Sequence, residues 1–104
     1  MKKVFAVVFS MLFAVSSLSA CTKKESSTIK IGVNLELTGD VSVYGVPEKI
    51  AFEMAVSEIN KKGGIDGKQV ELVIYDNAYD ATKAVANAQK LVEDGVVAML
   101  GSAT

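Results

Sequence analysis

The stretch Thr38-Gly39-Asp40-Val41-Ser42-Val43-Tyr44-Gly45 separates a strand pattern from a helix pattern. Before it, apolar residues alternate with other types over residues 29–35, which predicts a β-strand. After it, residues 47–62 carry apolar side chains at helical spacing, with Pro47 expected in the first helical turn. Open α/β sheets collect their ligands at glycine-containing turns between the carboxyl end of a strand and a helix. The stretch therefore predicts a loop that binds an amino acid or a similar polar metabolite.

Three more elements follow the first helix. Residues 70–75 alternate as in a strand, and residues 84–92 form an amphipathic helix pattern for which Asp80 is a suitable N-cap. Residues 96–100 are a continuous apolar run, typical of a strand covered on both faces. Within the first strand, Gly32 predicts that a helix crosses close to the backbone.

The β-α-β-α-β order predicts a parallel sheet with right-handed crossovers and the strand order 2-1-3. The expected fold class is α/β, a Rossmann-like three-layer arrangement in which residues 38–45 and 101–104 meet at one edge of the sheet. Glu36 and Asp40 near that edge are interpreted as solvated loop charges. Gly63 is expected at the C-terminal end of the first helix.

The first twenty residues have the pattern of an export signal. Lys2 and Lys3 precede an apolar run over residues 4–15, and small residues then lead to Cys21. As a helix the run would rise about 18 Å, which is too short for a hydrocarbon core of about 30 Å. We expect residues 1–20 to be a signal peptide and not a retained transmembrane helix.

The segment Leu18-Ser19-Ala20-Cys21 resembles a bacterial lipobox. In such leaders the cysteine thiol receives a diacylglyceryl group, and cleavage makes that cysteine the new N-terminus. Two or more acyl chains suffice for stable membrane anchoring. Cys21 is therefore the predicted lipidation site, and the polar residues 21–28 are the predicted flexible tether. An unmodified cysteine after an ordinary signal is the alternative.

The composition argues against a nucleic-acid partner and against common catalytic chemistry. Without residues 1–20 the chain has nine lysines, twelve acidic residues, no arginine and no histidine. A mildly acidic surface does not suit phosphate backbones, and the lack of histidine removes the commonest acid–base catalyst and metal ligand. Asp76, Asn77 and Asp80 lack the spacing of a calcium-binding loop. The sequence predicts a binding protein and not an enzyme, without a cofactor or a metal site.

Hydroxyl groups and one aromatic ring lie in the two segments expected at the sheet edge. Hydroxyls can hydrogen-bond a zwitterion, and backbone N–H groups at a strand–helix turn suit its carboxylate. A tyrosine ring offers a rigid apolar wall with a polar tip. Turn hydrogen bonds are the alternative for the hydroxyls before the helix, and simple packing is the alternative for the ring. The candidate ligand-binding residues are Thr38, Ser42, Tyr44, Ser102 and Thr104.

Six segments of the chain together form a recognisable pattern. They are Ile29-Lys-Ile-Gly-Val33, Leu37-Thr-Gly-Asp-Val-Ser-Val-Tyr-Gly45, Glu58-Ile-Asn-Lys-Lys-Gly-Gly-Ile-Asp-Gly67, Val70-Glu-Leu-Val-Ile-Tyr-Asp-Asn77, Ala84-Val-Ala-Asn-Ala-Gln-Lys-Leu-Val92 and Val96-Val-Ala-Met-Leu-Gly-Ser102. They closely resemble the N-terminus of the type I periplasmic binding proteins for branched-chain amino acids, which serve ABC importers. The resemblance implies two α/β lobes that close on a ligand and dock onto a membrane permease.

The resemblance also implies roles for individual positions. Tyr44 matches a loop position that touches the ligand side chain. The segment that binds the ligand's α-carboxylate begins at Gly101, with its key serine just beyond Thr104, so Ser102 and Thr104 flank that site. Some family members join the loops after the second and third strands by a disulfide, and here Tyr79 and Thr104 stand in those neighbourhoods.

Members of this family are several times longer and have a second lobe. We therefore expect residues 29–104 to be a partial N-terminal lobe, and the chain to be a fragment or truncated product whose parent binds the ligand. The implied function is that of an extracytoplasmic substrate-binding lipoprotein of an ABC transporter, held in the cell envelope, which binds branched-chain or related amino acids for import. The alternatives are a lobe of a sensor or receptor, and a truncated product without binding activity.

Overall fold

A computed structural model of the protein describes residues 28–104. Its elements in chain order are β1 (Thr28–Leu35), α1 (Ser42–Lys61), β2 (Gln69–Asp76), α2 (Ala81–Glu93) and β3 (Ala98–Leu100). The predicted signal peptide, Cys21 and most of the tether lie outside the described residues, whereas Thr28, assigned to the tether, is the first residue of β1. Neither helix between residues 28 and 104 combines the length and hydropathy needed to cross a membrane.

The three strands form a parallel sheet in the order β2-β1-β3. β1 pairs with β2 along its whole length, from Thr28 opposite Gln69 to Leu35 opposite Asp76. β3 pairs with β1 over a shorter stretch that ends with Leu100 opposite Val33. The predicted strand order and direction are confirmed, and the carboxyl ends of all three strands lie at one edge.

The core of the described region lies around the central strand. The buried apolar side chains there belong to Val33, Leu35, Val70 and Leu91. A Cβ atom at Gly32 would lie 3.0 Å from Leu91 Cδ1, so α2 crosses this glycine closely, as predicted.

The third strand departs from the prediction. The apolar run 96–100 yields only the strand Ala98–Leu100, and Val97 and Met99 are 74% and 47% exposed. Coverage on both faces was therefore a wrong expectation for these residues. Hydropathy predicted the strand, but burial depends on what packs against it, and within residues 28–104 β3 lies at one side of the sheet.

Helix α1 begins at Ser42, and not near residue 47 as predicted. Pro47 lies inside the helix, where its missing N–H leaves the carbonyl of Val43 without its helical partner. The earlier start has a steric basis, since Gly45 is buried and a Cβ atom there would overlap the carbonyl oxygen of Glu36. The absence of a side chain lets the first turns of α1 lie directly against the end of β1.

The other helix boundaries follow the predictions. At the end of α1, Gly63 has φ +102° and donates its N–H to Asn60 O at 3.1 Å, while Gly64 donates to Ile59 O at 2.9 Å. This is a Schellman ending. At the start of α2, the Asp80 carboxylate accepts a hydrogen bond from the N–H of Lys83 at 2.8 Å, so the predicted N-cap is confirmed.

Candidate functional site

The loops after the three strands line a cavity that is open to solvent at the carboxyl edge of the sheet. Its volume is about 330 Å³. The lining residues come from the end of β1, the loop before α2, the first turn of α2 and the segment after β3. They are Glu36, Asn77, Tyr79, Asp80, Ala81, Ala84, Ser102 and Thr104.

Glu36 is the most buried charged residue of this edge, with 2% of its surface exposed. Its carboxylate accepts hydrogen bonds from Ser102 Oγ, from the N–H of Ala103 at 3.1 Å and from Thr104 Oγ1 at 3.1 Å. The interpretation of Glu36 as a solvated loop charge was therefore wrong, whereas Asp40 is exposed as expected. The partners of Glu36 lie far along the sequence, so local context gave no sign of this burial.

The hydrogen bonds decide the charge state of Glu36. Burial disfavours the ionised form, but the bonds from Ser102, Ala103 and Thr104 outweigh it and hold the pKa of Glu36 below its ordinary value of 4.5. The group is thus a carboxylate at neutral pH. Because a carboxylate can only accept hydrogen bonds, all three partners act as donors.

Asp76 joins the loop after β1 to the loop after β2. Its carboxylate accepts hydrogen bonds from Leu37 N–H at 2.8 Å, from Thr38 Oγ1 at 2.6 Å and from Ala78 N–H at 2.8 Å. Burial opposes ionisation here too, yet the bonds from Thr38, Leu37 and Ala78 lower the pKa of Asp76 below its ordinary 3.8. Thr38 therefore donates its hydroxyl within the loops, and it does not line the cavity.

Ser42 and Tyr44 lie in the first turn of α1, outside the lining of the cavity. The N–H of Ser42 donates to Gly39 O at 3.1 Å, which closes the turn that leads into the helix. The Tyr44 side chain is exposed. Of the five predicted ligand-binding residues, the structure brings Ser102 and Thr104 together at the cavity, and it leaves Thr38, Ser42 and Tyr44 beside it.

The loop before α2 adds residues that the sequence did not single out for binding. Asn77 is buried, and its Oδ1 accepts the N–H of Tyr79 at 2.9 Å. Ala78 and Tyr79 both have positive φ, at 49° and 59°. This turn sets the exposed Tyr79 ring on the wall of the cavity. The sequence predicted a loop at Asn77-Ala78-Tyr79, but it did not predict the positive φ angles of Ala78 and Tyr79.

The cavity combines apolar and polar walls. Ala81 and Ala84 supply apolar surface, and the oxygens of Ser102 and Thr104 keep lone pairs free to accept hydrogen bonds. Such a lining suits a small ligand with both polar and apolar parts. Within residues 28–104, no three acidic, histidine or cysteine side chains cluster closely enough to hold a metal ion.

Comparisons with known proteins match the described region. A family model described as "Periplasmic binding protein" matches residues 28–104. The leucine-, isoleucine-, valine-, threonine- and alanine-binding protein of Pseudomonas aeruginosa is 43% identical over 94 residues, which are 88% of this chain and 25% of that protein. The Leu/Ile/Val-binding protein of Escherichia coli K12 is 44% identical over 73 residues, which are 70% of this chain and 20% of that protein.

A solved structure of a substrate-binding protein also resembles this chain. The branched-chain amino acid transporter substrate binding protein of Streptococcus pneumoniae, in complex with isoleucine, superposes with a TM-score of 0.69 at 44% identity, covering 71% of this chain and 22% of that chain. The chain thus spans a quarter or less of the length of these relatives. Since the family model covers every described residue, the chain belongs to the periplasmic binding protein family.

Proposed function

We propose that this chain forms part of the N-terminal lobe of an extracytoplasmic substrate-binding protein, which delivers branched-chain or related amino acids to an ABC importer. The observation that carries the proposal is the family match over residues 28–104, since it includes every loop that lines the cavity. Relatives at 43% and 44% identity are named for binding leucine, isoleucine and valine. The function is binding without chemical turnover.

The proposed mechanism is closure of two lobes on the ligand. The segment that begins at Gly101 receives the ligand's carboxylate through N–H and hydroxyl donors just beyond Thr104, with Ser102 and Thr104 flanking that position. Tyr44, exposed on the first turn of α1, contacts the ligand side chain. A ligand shifts the balance between open and closed forms only by its higher affinity for the closed form. The closed form then docks onto the permease.

We further propose that the protein is held in the cell envelope by lipid on Cys21. The segment Leu18-Ser19-Ala20-Cys21 supports this proposal, together with the basic and apolar leader before it. The test is the mass of the N-terminal peptide of the protein extracted from its own cells. A diacylglyceryl-cysteine at position 21 is the expected result. An unmodified Cys21, or cleavage elsewhere, would contradict the anchor without affecting the ligand proposal.

Calorimetry tests the ligand class. The full-length mature protein, freed of bound ligand by unfolding and refolding, is titrated with leucine, isoleucine and valine, and with lysine and glutamate as charged controls. We expect saturable binding of at least one branched-chain amino acid at one site per chain, and none of the charged controls. Absence of binding to all three branched-chain amino acids would overturn the proposed ligand class.

A further inference from the structure

We propose that Glu36 is a positioning residue, which holds residues 102–104 in the arrangement that receives the ligand. This inference rests on the proposed function, because it assigns Glu36 a part in the same binding site. Glu36 itself does not contact the ligand in this proposal. It acts through three consecutive residues, whose side chains or N–H groups all donate to its carboxylate.

The segment that Glu36 holds lies beyond the strand pairing. The pairing of β3 with β1 ends at Leu100, so the ladder does not order the residues that follow. In the described part of the chain, the loop hydrogen bonds of residues 102–104 all go to Glu36. Gly101 has φ +109°, and a Cβ atom there would overlap the carbonyl oxygen of Asn34. The chain thus turns tightly against β1 and is then fastened by one buried carboxylate.

The carboxylate is itself held firmly. Glu36 follows directly on Leu35, the fully buried last residue of β1, and Gly45 of α1 lies against the Glu36 backbone. Because the Glu36 backbone is held between β1 and α1, its carboxylate can fix the positions of the groups that donate to it. Preorganised loops gain affinity because less ordering remains to be done when the ligand arrives. Glu36 would therefore raise affinity mainly by slowing ligand release.

Three substitutions separate this role from simple packing. In Glu36→Gln, the amide oxygen can still accept from Ser102 and Thr104, which both bind Oε1, but the amide nitrogen then faces the N–H of Ala103. In Glu36→Leu, an apolar side chain of similar size replaces the carboxylate, and all three donors lose their acceptor. Asp40→Asn is the matched control, because Asp40 is an exposed acid in the same loop.

The experiment measures isoleucine and leucine affinity of full-length wild type and the three variants, together with amide hydrogen exchange at Ala103. We expect affinity to fall about tenfold in Glu36→Gln and about a hundredfold in Glu36→Leu, with the intermediate value of the glutamine variant showing partial rescue. Exchange at Ala103 should accelerate in both. Asp40→Asn should match wild type in affinity and in exchange.

The outcomes that would overturn the inference are distinct from those that overturn the proposed function. Wild-type affinity in Glu36→Gln and Glu36→Leu, or an equal loss in Asp40→Asn, would remove the positioning role while leaving the function in place. Unchanged exchange at Ala103 in Glu36→Gln would do the same. Failure of wild type to bind either amino acid would overturn the function, and the positioning role with it. If Glu36→Leu does not fold, Glu36→Gln alone decides the result.

Discussion

At the scale of single residues, Asp76 is the link between the loops that follow β1 and β2. Its carboxylate accepts from Leu37, Thr38 and Ala78. In Asp76→Asn, one amide nitrogen replaces an accepting oxygen, so either a backbone N–H loses its acceptor or the Thr38 hydroxyl must accept in place of donating, and the charge that strengthens all three bonds is lost. We expect the free energy of unfolding to fall by about 1–3 kcal/mol, measured by urea denaturation of the full-length protein. Asp66→Asn, at an exposed turn, should leave the urea midpoint unchanged. An equal loss of stability in Asp66→Asn would contradict the role of Asp76 as a link between the loops.

The lowered pKa of Asp76 also predicts how stability depends on pH. Its folded pKa lies below 3.8, the ordinary value that it regains in the unfolded chain. The unfolded chain therefore binds the proton first, and the stabilisation is fully present above the unfolded pKa and is lost as pH falls through the folded pKa. Below pH 3.8, the urea midpoint of wild type should approach that of Asp76→Asn. A difference between the two that stays constant down to the acid limit would disprove this linkage.

Sequence reasoning located the sheet edge but not the connections within it. Ser102 and Thr104 were placed at the site because parallel strands end at a common edge, which is a rule of topology. The burial of Glu36 was not predicted because it depends on donors from residues 102–104 after β3, and a charged residue in a loop is ordinarily solvated. A residue's partners are set by packing between distant segments, and neither spacing nor composition encodes them locally.

At the scale of elements, α1 and β1 approach closely because Gly45 lacks a side chain. In Gly45→Ala, the new methyl group would overlap the carbonyl oxygen of Glu36, so α1 must shift away from the strand. We expect the free energy of unfolding to fall by about 1–3 kcal/mol in spite of the better helix propensity of alanine. Thermal or urea denaturation of the full-length protein measures this free energy of unfolding. Ala51→Ser, at an exposed position of α1, should cost at most about 0.5 kcal/mol. A wild-type midpoint in Gly45→Ala would refute the close approach.

Asn60 ties the end of α1 to the start of β2. Its Nδ2 donates to Val70 O and its Oδ1 accepts from Val70 N–H, both at 2.8 Å. Val70 is buried, so in Asn60→Ala both backbone groups lose their partner in an apolar setting. We expect the free energy of unfolding, measured by urea denaturation, to fall by about 1–3 kcal/mol. Ser57→Ala, on the exposed face of the same helix, should change the free energy of unfolding by less than about 0.5 kcal/mol. An equal effect of the two substitutions would contradict the role of Asn60.

The start of α1 shows what sequence patterns can and cannot give for an element. The existence, order and direction of all five elements followed from periodicity and from crossover rules. The start of α1 was not predicted correctly, because Pro47 was interpreted as the helix boundary. The contact that decides the start is the close approach of Gly45 to the backbone of Glu36. A single proline near the helix N-terminus costs one hydrogen bond, which packing can outweigh.

At the scale of the whole molecule, the described region buries few of its large apolar side chains. Val85, Val92 and Val97 are 60%, 65% and 74% exposed, and Met54 is 62% exposed. These side chains lie on α1, α2 and the approach to β3, so both helices and one side of the sheet present apolar surface. The stretches that match this chain make up only 25% and 20% of the two curated relatives. We propose that further parts of a two-lobed protein cover these surfaces and complete the ligand site.

This proposal predicts different behaviour for the lobe segment and for the full-length protein. A polypeptide of residues 22–104 should show no saturable heat with leucine, isoleucine or valine, because one wall of the site is missing and a chain of this size buries too little surface for more than marginal stability. It should also bind a dye for exposed apolar surface strongly, whereas the full-length protein should not. The full-length protein, titrated under the same conditions, should bind at one site. Saturable one-to-one binding by residues 22–104 would show that this segment holds the complete site, and closure by a second lobe would then be unnecessary for recognition.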